Sequence, residues 1–194
     1  MPIAFIDSLY GGPEAGDLHL VHCTDVKGLI RLSRASTGIR SFDCPKGKQS
    51  IEQMYEFVGV PPPQAFASCF ALFGPIASGS KINAYGLGKN VVTLLLNADR
   101  LMEDAVVVNG DFQNLASGLS DGPLAAENVL FFRHQSKDAT LHELNVWRSD
   151  GPIRGDYCEA RLMRPIVPED IDKIYATDLC GEIDELVKQI NSRL

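Results

Sequence analysis

The segment DYCEARLM, residues 156–163, alternates like a β-strand and carries one carboxylate, Glu159. Tyr157 and Arg161 are predicted to share the face of Glu159, because successive strand residues point to opposite faces. The other face is then apolar and consists of Cys158, Ala160 and Leu162. A carboxylate on a rigid strand can accept a proton or stabilise a developing cation. The simpler interpretation is a solvated surface glutamate that pairs with Arg161.

His22 is the second candidate. It ends a predicted short strand, LHLVH (18–22), and directly precedes a predicted helix. Free backbone N–H groups at a helix N-terminus attract anionic or polar ligands, which favours a binding role. A half-buried histidine with a purely structural role is the simpler interpretation. Cys23 adjoins His22, but neighbours on a strand point to opposite faces, so the two are poorly placed as nucleophile and base.

Charge is unevenly distributed along the chain. The net charge of −7 argues against a dedicated nucleic-acid binder. Residues 27–48 nevertheless contain six basic side chains and one acidic one, so this segment could attract phosphate. Within it, Arg40 could hold a phosphate through two parallel hydrogen bonds, although a loop arginine more simply faces solvent. The segment from residue 168 onwards is acidic and could contact a basic partner protein.

Several classes of protein are disfavoured by the sequence. Neither the glycine fingerprint of dinucleotide-binding proteins nor the P-loop spacing is present. The five cysteines and four histidines show no C-x-x-C and no metal-ligand spacing, so we expect no metal site and no disulfide framework. No apolar run has the length of a membrane span, and the first residues do not resemble a secretory signal. We therefore expect a cytoplasmic protein without membrane contact.

The elements that must position these residues form one predicted domain, 1–194. Residues 1–17 are predicted to be an irregular N-terminal arm, and 178–194 a C-terminal helix. Besides the strands at 18–22 and around Glu159, further strands are predicted at 68–73, 91–97, 105–108, 129–132 and 173–176. The predicted fold class is α+β, with short peripheral helices around two small packed sheets.

The first predicted helix follows Thr24, which is interpreted as its N-cap, and ends near Thr37-Gly38. Its solvent side carries a basic stripe at helical spacing, formed by Lys27, Arg31 and Arg34. Two further short helices are predicted, one starting at residue 51 after the capping box Ser50-Gln53, and one over 97–104.

Taken in order, four segments resemble the DarT family of NAD-dependent DNA ADP-ribosyltransferases, which are bacterial toxins. LVHCTDVKGLIRLSRASTG resembles the opening strand and helix of the family, and SCFALFGPIASGSKIN is similar to its aromatic strand and following loop. NVVTLLLNADRLMEDAVVVNGDFQN resembles the next strand, short helix and turn, and GDYCEARLMRPIVPEDIDKI the closing strand with the catalytic glutamate. The resemblance covers roughly residues 18–178.

The resemblance implies an ADP-ribosyltransferase-like fold and a set of roles. Glu159 would be the catalytic glutamate, and His22 would assist it and hold the NAD co-substrate. Thr24, Arg40 and Phe73 would complete the NAD site. The segment 133–158 would recognise the acceptor, which is single-stranded DNA in the family. By their charge, Arg148, Arg154, Arg161 and Arg164 could bind this nucleic acid locally, together with the basic segment 27–48.

Two alternatives stay open. The family has an arginine in the short helix before its aromatic strand, and the corresponding stretch IEQMYEFVGV has none. A degenerate, non-catalytic module that binds a nucleotide or a partner protein is therefore one alternative. The other is an ADP-ribosyltransferase that modifies protein. As a toxin, the protein would also have an antitoxin partner.

Overall fold

The computed structural model describes twelve stretches of the chain: residues 2–6, 18–34, 38–39, 67–73, 91–102, 105–108, 131–133, 138–139, 142, 157–162, 165–176 and 179–194. Eight strands lie within them: β1 (Ala4–Ile6), β2 (Leu18–Asp25), β3 (Ala67–Phe73), β4 (Val91–Leu96), β5 (Ala105–Val108), β6 (Phe131–Arg133), β7 (Tyr157–Leu162) and β8 (Ile171–Ala176). The helices are α1 (Val26–Ser33), α2 (Ala98–Leu101) and α3 (Cys180–Asn191), with a 3-10 turn at Pro168–Asp170.

The described strands form one eight-stranded sheet in the order β1-β8-β4-β2-β3-β7-β5-β6. All neighbours run antiparallel except β1 and β8, which are parallel. The prediction of a chain that mixes strands with short helices is confirmed. The prediction of two separate sheets is wrong for these strands, because β2 pairs with β3 along one edge and with β4 along the other.

The core lies between one face of the sheet and the helices α1 and α3. Amphipathic spacing explains it: α1 buries Leu29 and Leu32, and α3 buries Ile183, Val187 and Ile190. The described strands of the sheet also contribute to the core. Leu20, Leu94, Ala160, Leu162 and Ile174 are each 0% exposed, and the smaller Ala105 is 1% exposed. Each fully buried leucine or isoleucine contributes about 2 kcal/mol of hydrophobic stabilisation.

β4 is buried on both faces, as its uninterrupted apolar sequence predicts, with Val92 through Leu96 all buried. The predicted strands at 68–73, 105–108 and 173–176 are confirmed within a few residues, and the 18–22 strand extends to Asp25. The strand predicted at 129–132 is observed at Phe131–Arg133. The helix predicted to start at residue 51 lies outside the described residues.

The first residues correct the prediction of an irregular arm. Ala4–Ile6 form β1, and Ile3 is buried beside the C-terminal helix. The backbone N–H of Ile3 donates to Asn191 Oδ1 at 2.7 Å, and Asn191 Nδ2 donates to the Ile3 carbonyl at 2.8 Å. This paired amide contact gives a three-residue strand an anchor that composition alone does not predict. Residues 7–17 lie outside the described part of the chain.

The two ends of α1 also differ from the prediction. The N-cap is Asp25, not Thr24, because the Asp25 carboxylate accepts from the Gly28 N–H at 2.8 Å while Thr24 still belongs to β2. The helix ends at Ser33, before the predicted Thr37-Gly38. The predicted stripe is confirmed, since Lys27, Arg31 and Arg34 are all exposed.

No helix in the part of the chain that the structure describes is long and apolar enough to cross a membrane.

Candidate functional site

The candidate site begins where β2 changes character. Leu20 and Val21 are buried at 0% and 1% exposure, whereas His22, Cys23 and Thr24 are only half-buried. Asp25, the last strand residue, is exposed. A strand that starts in the core thus ends in four polar or sulfur-containing residues at the surface. We refer to residues 22–25 as the polar end of β2.

The sheet forks at this polar end. The β2–β3 ladder runs from the pair Leu18–Phe73 to the pair Val21–Phe70. Beyond it, β2 continues to Asp25 against β4, and β3 extends back to Ala67 against β7. The two central strands therefore keep their outer partners beyond the last pair of their shared ladder.

The strand that carries Glu159 lies directly across this fork. Its backbone pairs with Phe70 of β3 on one side and with Val108 of β5 on the other. Phe70 in turn pairs with Val21, so Glu159 is two strands, or about 10 Å of backbone, from β2. His22 is the next residue after Val21 and lies one position beyond that row. The backbones of Glu159 and His22 thus lie on the two strands that flank β3, but His22 is one position out of the row and belongs to the opposite face of the sheet, the face of Leu20.

β7 is held firmly in this position. It pairs with β3 and with β5, and Ala160 and Leu162 are both 0% exposed. The burial confirms the alternation predicted for the apolar face of this strand. Glu159, between Cys158 and Ala160, therefore belongs to a strand whose backbone is paired on both sides. A catalytic residue needs such a rigid support.

Thr24 is fixed against the first turn of α1. A Cβ on Gly28 would lie 2.0 Å from Thr24 Oγ1 and 3.1 Å from Thr24 Cβ, which is a severe overlap. Only glycine at position 28 lets the strand and helix approach so closely. Sequence reasoning missed this requirement, although a glycine in the first turn of a helix is a local signal that could have indicated it.

The predicted anion site at the N-terminus of α1 is occupied by the protein itself. The Asp25 carboxylate accepts from the Gly28 N–H at 2.8 Å, and its negative charge suits the positive end of the helix dipole. A phosphate there would face a carboxylate of like charge. This correction removes the simplest reason for expecting a pyrophosphate directly behind His22.

Cys23 lies on β2 between His22 and Thr24, and its Sγ is 3.9 Å from Thr93 Oγ1 on β4. Burial raises the pKa of the Cys23 thiol, and the Thr93 hydroxyl partly offsets this by lowering it. A thiol kept protonated is a weak nucleophile, so the geometry gives no support to Cys23 as an attacking group.

Two of the remaining predicted site residues, Phe73 and Arg161, lie in the described part of the chain. Phe73 pairs with Leu18, at the other end of the β2–β3 ladder from His22. Arg161 pairs with Ser68 and Val106, two residues along β7 from Glu159. Arg40, Arg148 and Arg154 lie outside the described residues.

The neighbour of Arg40 is described. Ile39 forms an antiparallel bridge with Ile166, with N–H to carbonyl distances of 2.9 and 3.1 Å. Gly38 adopts a left-handed φ of 63° there, and a Cβ on it would lie 2.5 Å from the Ile166 carbonyl oxygen. This bridge follows the C-terminal end of α1, which is about 12 Å of helix away from Asp25.

A cleft with a volume of about 210 Å³ opens near the same end of α1, away from the polar end of β2. It is lined by Leu32, Gly38, Val167, Pro168, Glu169, Ile190, Arg193 and Leu194. Among the described residues no cluster of three or more histidine, cysteine, aspartate or glutamate side chains could hold a metal ion. Comparison with protein-family models, curated proteins and solved structures found no match.

Proposed function

We propose that this protein is an NAD-dependent mono-ADP-ribosyltransferase similar to the DarT toxins, with an ADP-ribosyltransferase-like fold, that modifies a base of single-stranded DNA. The observation that supports the proposal is the position of Glu159 on β7, a strand paired on both sides with β3 and β5. His22 lies on β2, on the opposite face of the sheet from the row of Glu159, so its part in the proposal rests on the resemblance of the sequence. The resemblance of the sequence assigns the catalytic role to Glu159 and NAD binding to His22.

The proposed chemistry suits a carboxylate on a rigid strand. The bond between C1′ of the ribose and the nicotinamide nitrogen breaks, and nicotinamide leaves with the electron pair. The ribose develops positive charge, which the Glu159 carboxylate stabilises. A nitrogen or oxygen of the acceptor base then bonds to C1′, and its proton passes to Glu159 and on to water.

The neighbouring residues fit the binding of the nicotinamide half of NAD better than the binding of its phosphates. His22 and Thr24 supply half-buried polar groups beside the fork. Asp25, in contrast, places a negative charge at the helix N-terminus. We therefore assign His22 and Thr24 to the nicotinamide ribose, and the pyrophosphate to basic groups elsewhere, with Arg40 as the candidate. As part of the same proposal, the protein acts in the cytoplasm and has an antitoxin partner.

The test is to follow the label of adenine-labelled NAD. The protein is incubated with single-stranded DNA, RNA and an unrelated protein mixture. We expect label on DNA, and we expect Glu159→Gln to lower the rate by about a thousandfold, the contribution of one acid–base group. Glu182→Gln, an exposed glutamate on α3, is the matched control and should keep full activity.

Label on protein alone would exclude the DNA substrate and favour an enzyme that modifies protein. Equal activity of Glu159→Gln and the wild-type protein would remove Glu159 from the site.

A second candidate is a module that binds a nucleotide or a partner protein without catalysis. The Asp25 cap favours it, because a like charge at the helix N-terminus weakens the hold on a dinucleotide phosphate. Thermal shift with NAD and with nicotinamide mononucleotide separates the two candidates. Stabilisation by either ligand, together with no release of nicotinamide over hours, would support the non-catalytic module.

A further inference from the structure

The exposed face of α1 carries three cations in one line. Lys27, Arg31 and Arg34 are separated by four and three residues, which places them on the same side of a helix. All three are exposed, whereas the opposite side of the helix buries Gly28, Leu29, Leu32 and Ser33 in the core. The line of cations therefore faces solvent along the whole helix.

These cations have no carboxylate partners among the described residues. The salt bridges there join Arg100 to Asp170 and Lys188 to Asp184 and Glu185. In a chain with 25 acidic and 18 basic side chains, three neighbouring exposed cations that form no ion pair with any described residue are a local reversal of the overall charge. An unpaired line of positive charge attracts a polyanion.

Helix stability does not explain the position of Lys27. Cations near the C-terminus of a helix, such as Arg31 in the last turn of α1, interact favourably with the helix dipole. Lys27 is in the first turn, where the dipole is positive and a cation is unfavourable. The nearest acidic residue is the N-cap Asp25, whose carboxylate accepts from the Gly28 N–H.

The proposal rests on the function proposed above and deepens it. We infer that Lys27, Arg31 and Arg34 bind phosphates of the single-stranded nucleic acid that the enzyme modifies. The three residues span about 10.5 Å of helix, which is long enough to contact more than one phosphate of the same strand. Lys27 is three residues from Thr24, so the line of cations begins next to the polar end of β2.

The same face is poorly suited to a lipid surface. Membrane-bound helices insert an apolar face beside their basic one. The apolar face of α1 is already buried, with Leu29 and Leu32 at 0% and 1% exposure. Nothing apolar on the helix remains to enter a bilayer, and the phosphates of a nucleic acid are the better match.

The test measures binding of a fluorescent 12-nucleotide single strand as a function of salt. Each neutralised phosphate contact contributes about −0.7 to the slope of log affinity against log salt. We expect Lys27→Gln/Arg31→Gln to flatten the slope by about 1.4 and to weaken binding at low salt. Lys173→Gln/Lys188→Gln, two exposed lysines on β8 and α3, changes the net charge equally and should leave the slope unchanged.

The inference would be wrong if the wild-type protein did not bind the single strand, or if the two variants had equal slopes. It would also be wrong if Lys27→Gln/Arg31→Gln weakened the binding of NAD or of phosphatidylserine vesicles and left the binding of the single strand unchanged. Binding and label transfer are measured separately, so failures can be told apart. A flattened slope with no transfer would remove the proposed activity and keep the binding face. Transfer of label to DNA that Lys27→Gln/Arg31→Gln leaves unchanged would keep the proposed activity and remove the binding face.

Discussion

Two polar regions of this protein are built in opposite ways. The first, between α2 and the 3-10 turn, closes on itself: Asp170 is 0% exposed, and its carboxylate accepts from Arg100 Nε at 3.2 Å and from the Val167 N–H at 3.0 Å. Asn97 completes this network, since its N–H donates to the Asp170 carbonyl at 2.8 Å and its side chain caps α2. The second region, the polar end of β2, consists of three half-buried residues and the exposed Asp25, beyond the last pair of the β2–β3 ladder.

The difference separates a structural network from a candidate site. A buried carboxylate is tolerated only when it is fully paired, so the Asp170 network stabilises the turn between β7 and β8. The polar end of β2 continues from the buried Leu20 and Val21 as half-buried and exposed polar residues, with Asp25 capping α1 and Cys23 beside Thr93. The proposed function uses this second, less buried region.

The strongest test of the structural side is Asp170→Ala. We expect a loss of about 3 kcal/mol in the free energy of unfolding, because the change strands the Val167 N–H and the Arg100 guanidinium. Urea denaturation measures it. Asp172→Ala is the matched control, since its exposed carboxylate accepts one bond from Asn97 and should cost less than about 1 kcal/mol. Equal losses for both would remove the distinction between the two regions.

Gly28→Ala tests the junction of the polar end with α1. We expect a loss of about 2 kcal/mol, because the added Cβ would lie 2.0 Å from Thr24 Oγ1. The same substitution at Gly181 in α3 meets no atom within 4 Å and should be neutral or stabilising. Thr24→Ala/Gly28→Ala removes the hydroxyl and should recover part of the loss. If thermal denaturation finds Gly28→Ala as stable as Gly181→Ala, the close packing of Thr24 is wrong.

The regular elements were predictable because each is specified by its own residues. β4 is an unbroken run of β-branched and leucine residues, and the apolar positions of α3 repeat at helical spacing. Leu29 likewise follows from the spacing within α1. Tertiary context decided the parts that were missed. β1 depends on Asn191, which is 188 residues from its partner Ile3, and no local pattern records such a contact.

The candidate site was predictable only as a set of residues, not as an arrangement. Alternation correctly predicted that Ala160 and Leu162 face the core, and it assigns Glu159 to the opposite face of β7. The fork came from the register of β2, β3 and β7, which depends on pairings across the whole chain. Asp25 rather than Thr24 is the N-cap because β2 continues through Thr24. Sequence patterns do not define the end of a strand to within one residue.

Asp25 distinguishes capping from charge at the polar end. Asp25→Ala should cost about 1 kcal/mol, because the Gly28 N–H loses its acceptor. Asp25→Asn keeps an acceptor and should be nearly as stable as the wild type in thermal denaturation. If the proposed function holds, Asp25→Asn should also bind NAD more tightly, since a negative charge beside the site is gone. A large loss of stability in Asp25→Asn would mean that the charge, not the cap, holds the junction.

Cys23 gives the smallest effect and tests how far the polar end is desolvated. Burial raises the pKa of its thiol above the ordinary value of 9.0, so the folded state prefers the protonated form. Below pH 9.0 the thiol is protonated in both states and its contribution to stability is complete. As the pH rises further, the unfolded chain ionises first and stability falls until the folded thiol also titrates. We therefore expect the difference in unfolding free energy between wild type and Cys23→Ala to shrink above that pH.

Thr93→Val removes the hydroxyl that lowers the pKa and should make the decline in stability steeper. A difference that stays flat through this range would mean that the polar end of β2 is more solvated than its half-burial indicates.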